Sequence, residues 1–515
     1  MRTTQTQKEG SLRVLHSDSP FAPPKDDACF INNLPIELLS RIFGFGPPGN
    51  SNRTKDDNDE VIGCWKMGEV LDDDGGEEDG EWSDTTGSEC SSSNPPLRKT
   101  PFAVFVSHVC RHWRHVALST PSLWTTIAFP QLARPPYKLQ SMLLERSQGL
   151  PVDIYVQGQF DDSSNRLSSM LIPEIHRWRT MHISVWSYDC VHDFLCAISD
   201  LSIPAAPRLT TVELYYFRDI DDVEYLSMSK HFTLFRGLAP SLSRIVVWGV
   251  YVDWSQPWIA SASNLTDIEF GCHPEEVRPS WTQISTILRS APGLRRLCLR
   301  VSAPTGDPAL TAANSTDPIQ LPRLTDLILA IPSPPQVLTL LQKLYLPALR
   351  NLDLGFDPDH DCTDLVHELV RPAISSSFGE GQRLHSLLSG LESLRIYKLP
   401  CHIDCVEMLY SELENLTTLN ISLEDLPPRF LDILGTPCTL PGRSDVWLPR
   451  LTTLYVSGTT GKLLCNIVQK RKDAGVPLRS LYMEQACELL ERDITWLRTH
   501  VKTVGFFDEL ELGFD

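Results

Sequence analysis

No run of about 18 consecutive apolar residues occurs in this 515-residue chain, so no membrane-spanning helix is expected. The opening MRTTQTQKEGSLRVL lacks the apolar core of a secretory leader, which predicts a cytoplasmic or nuclear address. The fourteen cysteines are then expected as reduced thiols, not as a disulfide framework. Positive charge is scarce. Lys and Arg number 46 against 65 Asp and Glu, a formal charge of -19. Nucleic-acid binders need a basic footprint against phosphate, so that class is excluded. Catalytic signatures are missing too: no nucleophile elbow, Ser/His/Asp arrangement or phosphate loop is legible, and a non-catalytic protein without cofactor or metal is expected. What remains is a chain that is 42% hydrophobic with a mean hydropathy of -0.15. Its length suits two or more domains, or one domain and a repeat array.

The sharpest stretch runs from Phe102 to Phe129. Val106, Val109, Cys110, Trp113, Val116 and Ala117 recur at the spacing of one helix face. Ser107, Arg111, His112, Arg114 and His115 fall on the other face, so one helix is expected through this stretch. Pro121 stops it, and Leu123 and Trp124 follow as a second apolar anchor. Such a helix cannot make a core alone. A partner lies upstream between Ile31 and Phe43, where Pro35 and Glu37 suit a first turn and Leu38, Leu39, Ile42 and Phe43 form a wide apolar stripe.

Together the two stretches resemble an F-box, whose signature is L-P-x-E-L-L-x-x-I-F followed, after a gap, by V-C-R-x-W-R-x-x-A. Leu34, Pro35, Glu37, Leu38, Leu39, Ile42 and Phe43 match the first half; Val109, Cys110, Arg111, Trp113, Arg114 and Ala117 match the second. The trailing Thr-Pro-Ser-Leu-Trp of residues 120–124 is typical of the fungal branch of F-box proteins. The resemblance implies a docking site for a Skp-family linker, and through it a cullin–RING ligase. The residues it assigns to that site are Leu34, Pro35, Glu37, Leu38, Ile42, Phe43, Val109, Cys110 and Trp113.

The gap departs from the family pattern by its length. Between residues 51 and 90 stand 14 Asp or Glu against 3 Lys or Arg, a net -11 out of the chain's -19. Such a segment repels itself and has little to bury. It reads as a disordered acidic insert at about 44–100, or else as a retained intron. Residues 1–28 read as a disordered leader, and the F-box unit is assigned to 29–129.

From 130 to 515 a phrase L-x-x-L-x-L recurs, as in Leu209/Val212/Leu214, Leu294/Leu297/Leu299, Leu349/Leu352/Leu354 and Leu451/Leu454/Val456. Trp178/Met181/Ile183 and Val501/Val504/Phe506 look like degenerate end units. Pro207, Pro240, Pro292, Pro322, Pro347 and Pro449 each stand two places before the first apolar residue of a unit. Helical candidates lie between units, at 283–289, 336–344, 403–413 and 462–472. Strand-then-helix units of this period predict an α/β fold in which a small helical F-box is followed by an irregular leucine-rich-repeat solenoid. The Asn of regular repeats is replaced by Phe217, Ser302, Pro332, Asp357 and Thr459, so no amide ladder is expected. Target contacts are expected at strand positions Glu213, Arg295, Asp326 and Asn351.

Four local patterns carry less. Gly44 to Gly49 satisfies G-x-G-x-x-G but follows a helix, where a dinucleotide site needs a strand before it. Asp357 to Asp364 with Glu368 has calcium-loop spacing, yet Cys362 replaces the turn glycine. Cys401, His402 and Cys405 lack a second ligand pair for zinc and are expected as buried or helix-start residues. Lys470-Arg471-Lys472 is a short basic cluster with a faint resemblance to a nuclear import signal. The expected function is substrate recognition for a Skp–cullin–F-box type E3 ubiquitin ligase, with a repeat scaffold outside any ligase as the alternative.

Overall fold

The computed structural model describes residues 31, 34–46, 101–130, 137–158, 164–185, 188–199, 205–216 and 232–507, the last with short breaks that include 256–258, 307–317, 373–385 and 439–445. The expected leader and the acidic stretch beyond residue 46 lie outside these residues.

A unit of the fold opens with a turn, and the turn explains the phase of the prolines. The Leu209 N–H donates to the Ala206 carbonyl at 3.3 Å, with Pro207 at the second turn position. The same bond joins Leu242 to Ala239, Leu294 to Ala291, Leu324 to Leu321, Leu349 to Leu346 and Leu451 to Leu448. Proline's fixed φ suits that position of a β-turn, so a buried residue, a proline and a buried leucine recur together.

After each turn comes a strand. Among the described residues a short parallel pair, Ile319–Gln320 with Leu344–Tyr345, stands apart from fourteen longer-ranging parallel strands: β1 (Thr126–Phe129), β2 (Val152–Gln157), β3 (Trp178–Val185), β4 (Thr211–Tyr216), β5 (Arg244–Trp248), β6 (Asp267–Gly271), β7 (Arg296–Arg300), β8 (Asp326–Ala330), β9 (Asn351–Gly355), β10 (Ser393–Tyr397), β11 (Thr418–Ser422), β12 (Thr453–Ser457), β13 (Ser480–Glu484) and β14 (Thr503–Phe507). The fourteen form one sheet in strict chain order. Each crossover therefore steps to the next neighbour in the same direction, which is the topology of a solenoid, not of a doubly wound sheet.

Register aligns the apolar residues. Ile127, Ile154, Met181, Val212, Ile245, Ile268 and Leu297 stand in one row, which continues through Leu327, Leu352, Leu394, Leu419, Leu454 and Leu481 to Val504. Every member but Val504 is buried. A second row two residues on runs from Phe129 to Phe506. Burying one such side chain contributes about 1.5–3 kcal/mol, and only the neighbouring units can cover it. A layer of helices lies behind, with α4 (Lys138–Arg146), α5 (Ser164–Leu171), α6 (Tyr188–Ser199), α7 (Trp281–Ser290), α8 (Pro334–Lys343), α9 (Thr363–Val370), α10 (Ile403–Glu412), α11 (Arg429–Asp432), α12 (Gly461–Asp473) and α13 (Glu491–His500) in chain order. These labels leave α1 to α3 for the N-terminal helices. Successive helices pack on one another, as α8 on α9 and α12 on α13. No helix among the described residues is long and apolar enough to cross a membrane.

Two polar rails replace the missing amide ladder. One is a hydroxyl rail at the strand starts. Thr266 Oγ1 donates to the Ser243 carbonyl at 3.1 Å, Thr325 Oγ1 to Arg295 at 3.2 Å, and Thr417 Oγ1 to Glu392 at 2.9 Å. The other is a single rung at the usual Asn position, where the His273 ring lies 2.6 Å from Ser302 Oγ, both buried. Phe217 and Pro332, two of the expected substitutes, fall outside the described residues.

The sheet starts earlier than the sequence suggests. Strand β1 lies inside the stretch assigned to the F-box unit, and Trp178 sits two strands in from the edge, so its unit is not terminal. The basic cluster is also corrected. Arg471 is 1% exposed and donates to the Trp447 and Leu448 carbonyls at 2.9 and 3.0 Å. A side chain spent on carbonyls in the interior cannot serve an import receptor.

Burial, with Arg278 close by, holds His273 down to about 3 from its ordinary 6.5, so it stays neutral in the fold. The unfolded chain binds a proton below 6.5 that the folded chain refuses until about 3. Stability is therefore full above pH 6.5 and falls as pH drops through that window. Denaturant midpoints measured across it should decline for the native chain and be flatter for His273→Gln; an equally steep decline in the variant would contradict this account.

Candidate functional site

The N-terminal residues form a helical knob on the first edge of the sheet. Its helices are α1 (Ile36–Gly44), α2 (Phe102–Ser107) and α3 (Arg111–Leu118). The single helix expected from Val106 to Ala117 is in fact two, broken at residues 108–110. Cys110 is extended, with φ -155° and ψ 173°, and its Sγ accepts the Trp113 N–H at 3.4 Å to start α3. The Ser107 carbonyl, left over by the break, accepts Arg114 Nε at 2.9 Å. Ser107 is accordingly buried, not on the polar face, and Val109 turns outward.

Helix α1 packs against α3. The Phe43 and Trp113 rings lie 4.9 Å apart with their planes at 53°. At Gly46 the backbone runs so close to the Phe102 ring that a Cβ would have no room. Gly46 and Phe102, which flank the acidic stretch in sequence, thus stand side by side. Trp124 fixes the knob to the sheet: it is buried, its Nε1 donates to the Ala117 carbonyl at 2.8 Å, and Arg146 of α4 lies 4.6 Å above its ring.

The nine expected docking residues divide between two faces. Phe43 turns toward α3 and is buried, as is Leu39, a motif residue outside the nine. Leu34, Cys110 and Trp113 are half-buried, while Pro35 and Glu37 are exposed. Leu38 is 48% exposed, Ile42 44% and Val109 52%. Ile36, Phe45 and Phe105, which the motif did not mark for docking, are exposed as well. Helix α1 therefore carries two apolar stripes one residue out of phase, one closing the knob and one facing solvent. Only the first can be explained by the fold.

The second surface is the sheet face away from the helices. A chain of ion pairs crosses it. His182 Nδ1 lies 3.0 Å from Glu213, Arg244 lies 2.9 Å from Glu213 and 2.6 Å from Asp267, and Arg296 lies 3.2 Å from Asp267 and 2.7 Å from Glu269. Trp248 Nε1 donates to Glu269 at 3.1 Å. Burial alone would raise Glu213, but His182 and Arg244 outweigh it and hold the carboxylate at about 2. Of the expected target positions, Glu213, Asp326 and Asn351 lie on the strands, and Asn351 Nδ2 donates to Asp326 at 2.6 Å. Arg295 does not: it precedes β7, and Arg296 holds that register. A ligand on this face must compete with partners already in place.

The weaker patterns serve the scaffold. Asp361 Oδ1 accepts the Thr363 N–H at 2.9 Å and its hydroxyl at 2.7 Å at the start of α9, and Cys362 points into the core. His402 caps α10 by accepting the Asp404 N–H at 3.4 Å, and Cys405 is buried. Among the described residues no three His, Cys, Asp or Glu side chains come together as metal ligands. Of the glycine-rich stretch only residues 44–46 are described, and they end α1.

No family model matches the chain, and no curated protein matches it. Among solved structures it is similar to an internalin (inlF) from Listeria monocytogenes str. 4b F2365, at 12% identity and a TM-score of 0.32, over 76% of this chain and 90% of that one. It is also similar to a leucine-rich-repeat protein of Leptospira interrogans, at 11% identity and a TM-score of 0.28, over 76% of this chain and 97% of that one.

If the Phe43–Trp113 contact holds α1 in place, Phe43→Ala and Trp113→Ala should each lower the opening free energy of the α1 amides in hydrogen exchange. The two effects should be non-additive by about 0.5–1.5 kcal/mol. Strict additivity would mean that α1 is held elsewhere.

Proposed function

We propose that the chain is a non-catalytic protein-interaction scaffold and, more specifically, a substrate-recognition adaptor of a Skp–cullin–F-box type E3 ubiquitin ligase. In this reading the knob docks a Skp-family linker, which brings a cullin–RING ligase, and the repeat sheet presents an unidentified target protein. One observation carries it: Leu38, Ile42, Phe105 and Val109 stay exposed on a knob whose own core is already closed by Leu39, Phe43 and Val106. Exposed apolar side chains in that number fit a protein interface, and the resemblance to the F-box signature supplies the class of partner. An interface of about 1,600 Å² would cover them. The cytoplasm or nucleus follows as the place of action. The alternative is a scaffold with no ligase attached, favoured by the acidic stretch that splits the two halves of the motif.

Pull-down of the full chain with a purified Skp-family linker separates the two. The adaptor reading expects a stable complex, weakened by about tenfold or more in Leu38→Ala or Ile42→Ala, since central apolar contacts each contribute about 1–2 kcal/mol or more. Both side chains face solvent, so thermal unfolding should be unchanged. No complex with the native chain, or equal retention by both variants, would leave only the scaffold.

A further inference from the structure

The knob meets the solenoid across a small cavity of about 250 Å³. Arg114 of α3 lines it from the knob, and Arg146 of α4 lines it from the first repeat. Ser107 and His108, at the end of α2, add a polar wall, while Val104, Leu118 and Met142 add apolar surface. No carboxylate is among the described residues that line it. The arginines of the sheet face are different: Arg244 meets Glu213 and Asp267, and Arg296 meets Asp267 and Glu269. Arg114 and Arg146 form no ion pair among the described residues. Acidic side chains outnumber basic ones in the chain, so supply is not the reason.

The fold also holds both guanidinium groups in place. Arg114 Nε donates to the Ser107 carbonyl at 2.9 Å, which leaves its two Nη groups for the cavity. Arg146 lies 4.6 Å from the centre of the Trp124 ring, a contact that uses the face of the group and none of its N–H donors. His108 Nδ1 and the Ser107 hydroxyl both donate to the Val104 carbonyl, each at 2.7 Å, so the polar wall is fixed as well. Donors set in position before a ligand arrives lose little freedom when it binds.

We propose that this cavity binds a phosphoryl group, held between Arg114 and Arg146. A guanidinium presents paired N–H donors that match two phosphate oxygens. Two like charges lining one small cavity repel each other, and an anion between them turns that repulsion into attraction. The volume lies below the roughly 300–1,000 Å³ of clefts that take drug-sized ligands, so it suits a group of a few atoms. Free phosphate and a phosphorylated side chain offer that same group, and the apolar surface gives a short apolar stem somewhere to lie. Bound there, the group bridges α3 and α4 and ties the knob to the first repeat, beside the Trp124 contact that already joins them. Leu38 and Ile42 do not line the cavity, so the inference is independent of which protein the knob docks.

Equilibrium dialysis of the full chain against radiolabelled inorganic phosphate, at fixed ionic strength, tests it. The native chain should take up a single phosphate, and Arg114→Gln should weaken uptake about tenfold or more, the loss expected for a charged hydrogen-bond partner. Arg146→Lys keeps a cation over Trp124, and with it the packing, but loses the paired donors, so it should weaken uptake as well. Arg323→Gln, at an exposed arginine far along the solenoid, should bind as the native chain does. Phenyl phosphate displacing the label at lower concentration than unlabelled phosphate assigns a carried phosphoryl group, and displacement no better than phosphate assigns the free ion. No uptake, uptake kept by both cavity variants or lost equally in Arg323→Gln, or equal displacement by acetate would each overturn the proposal.

Discussion

Every unit of this chain makes an apolar face that it cannot cover. A turn, a short strand and a short helix bury only part of their own side chains; the rest is buried only when the next unit stacks in register. From that constraint follow the strict order of the fourteen strands, the two continuous apolar rows, and the hydroxyl bonds that tie several strand starts to the one before. It also makes the ends special. Whatever covers the first strand is as much part of the fold as the strands themselves.

At the first edge α4 and Tyr137 lie on β1 and Trp124 ties the helical knob to them, which gives the knob two tasks. Its inner stripe, Leu39 and Phe43 with Trp113 and Trp124 behind them, closes its own core and holds the sheet edge. Its outer stripe, Leu38 and Ile42, has no work in the fold. The sheet face differs in kind. Its carboxylates and guanidinium groups are half-buried and already paired, and removing one partner would strand a charge in low dielectric. That face is a built electrostatic surface on which a ligand must trade bonds like for like, whereas the knob offers uncovered apolar area at no such cost.

Much of this is legible in the sequence, because the signals are local. Proline at the second place of a turn, a leucine two residues later and an apolar alternation after it are dictated within one unit, so the strands of units such as 294–299 and 451–456 fall where the pattern puts them. Helices α7, α8, α10 and α12 likewise lie within a residue or two of their sequence ranges. What escaped depends on other units. Periodicity from Val106 to Ala117 fits one helix, and only the thiol cap at Cys110 and the Arg114 bond to Ser107 break it. His273 reads as an unremarkable polar residue until Ser302 of the next unit stands beside it. Strand alternation points to Arg295 in sequence; register with Asp326 puts Arg296 there instead. In the basic cluster, charge suggests exposure, but the carbonyls that hold Arg471 inside come from Trp447 and Leu448, 24 and 23 residues earlier.

The central claim is that segments far apart in the numbering close into one knob whose outer stripe is an interface. Hydrogen exchange of the full chain, with and without a Skp-family linker, measures it most directly. Added linker should slow exchange in residues 36–45 and 102–110 together and leave the strands from β2 to β13 as they were. Protection confined to one of those segments, or appearing on the sheet alone, would contradict it.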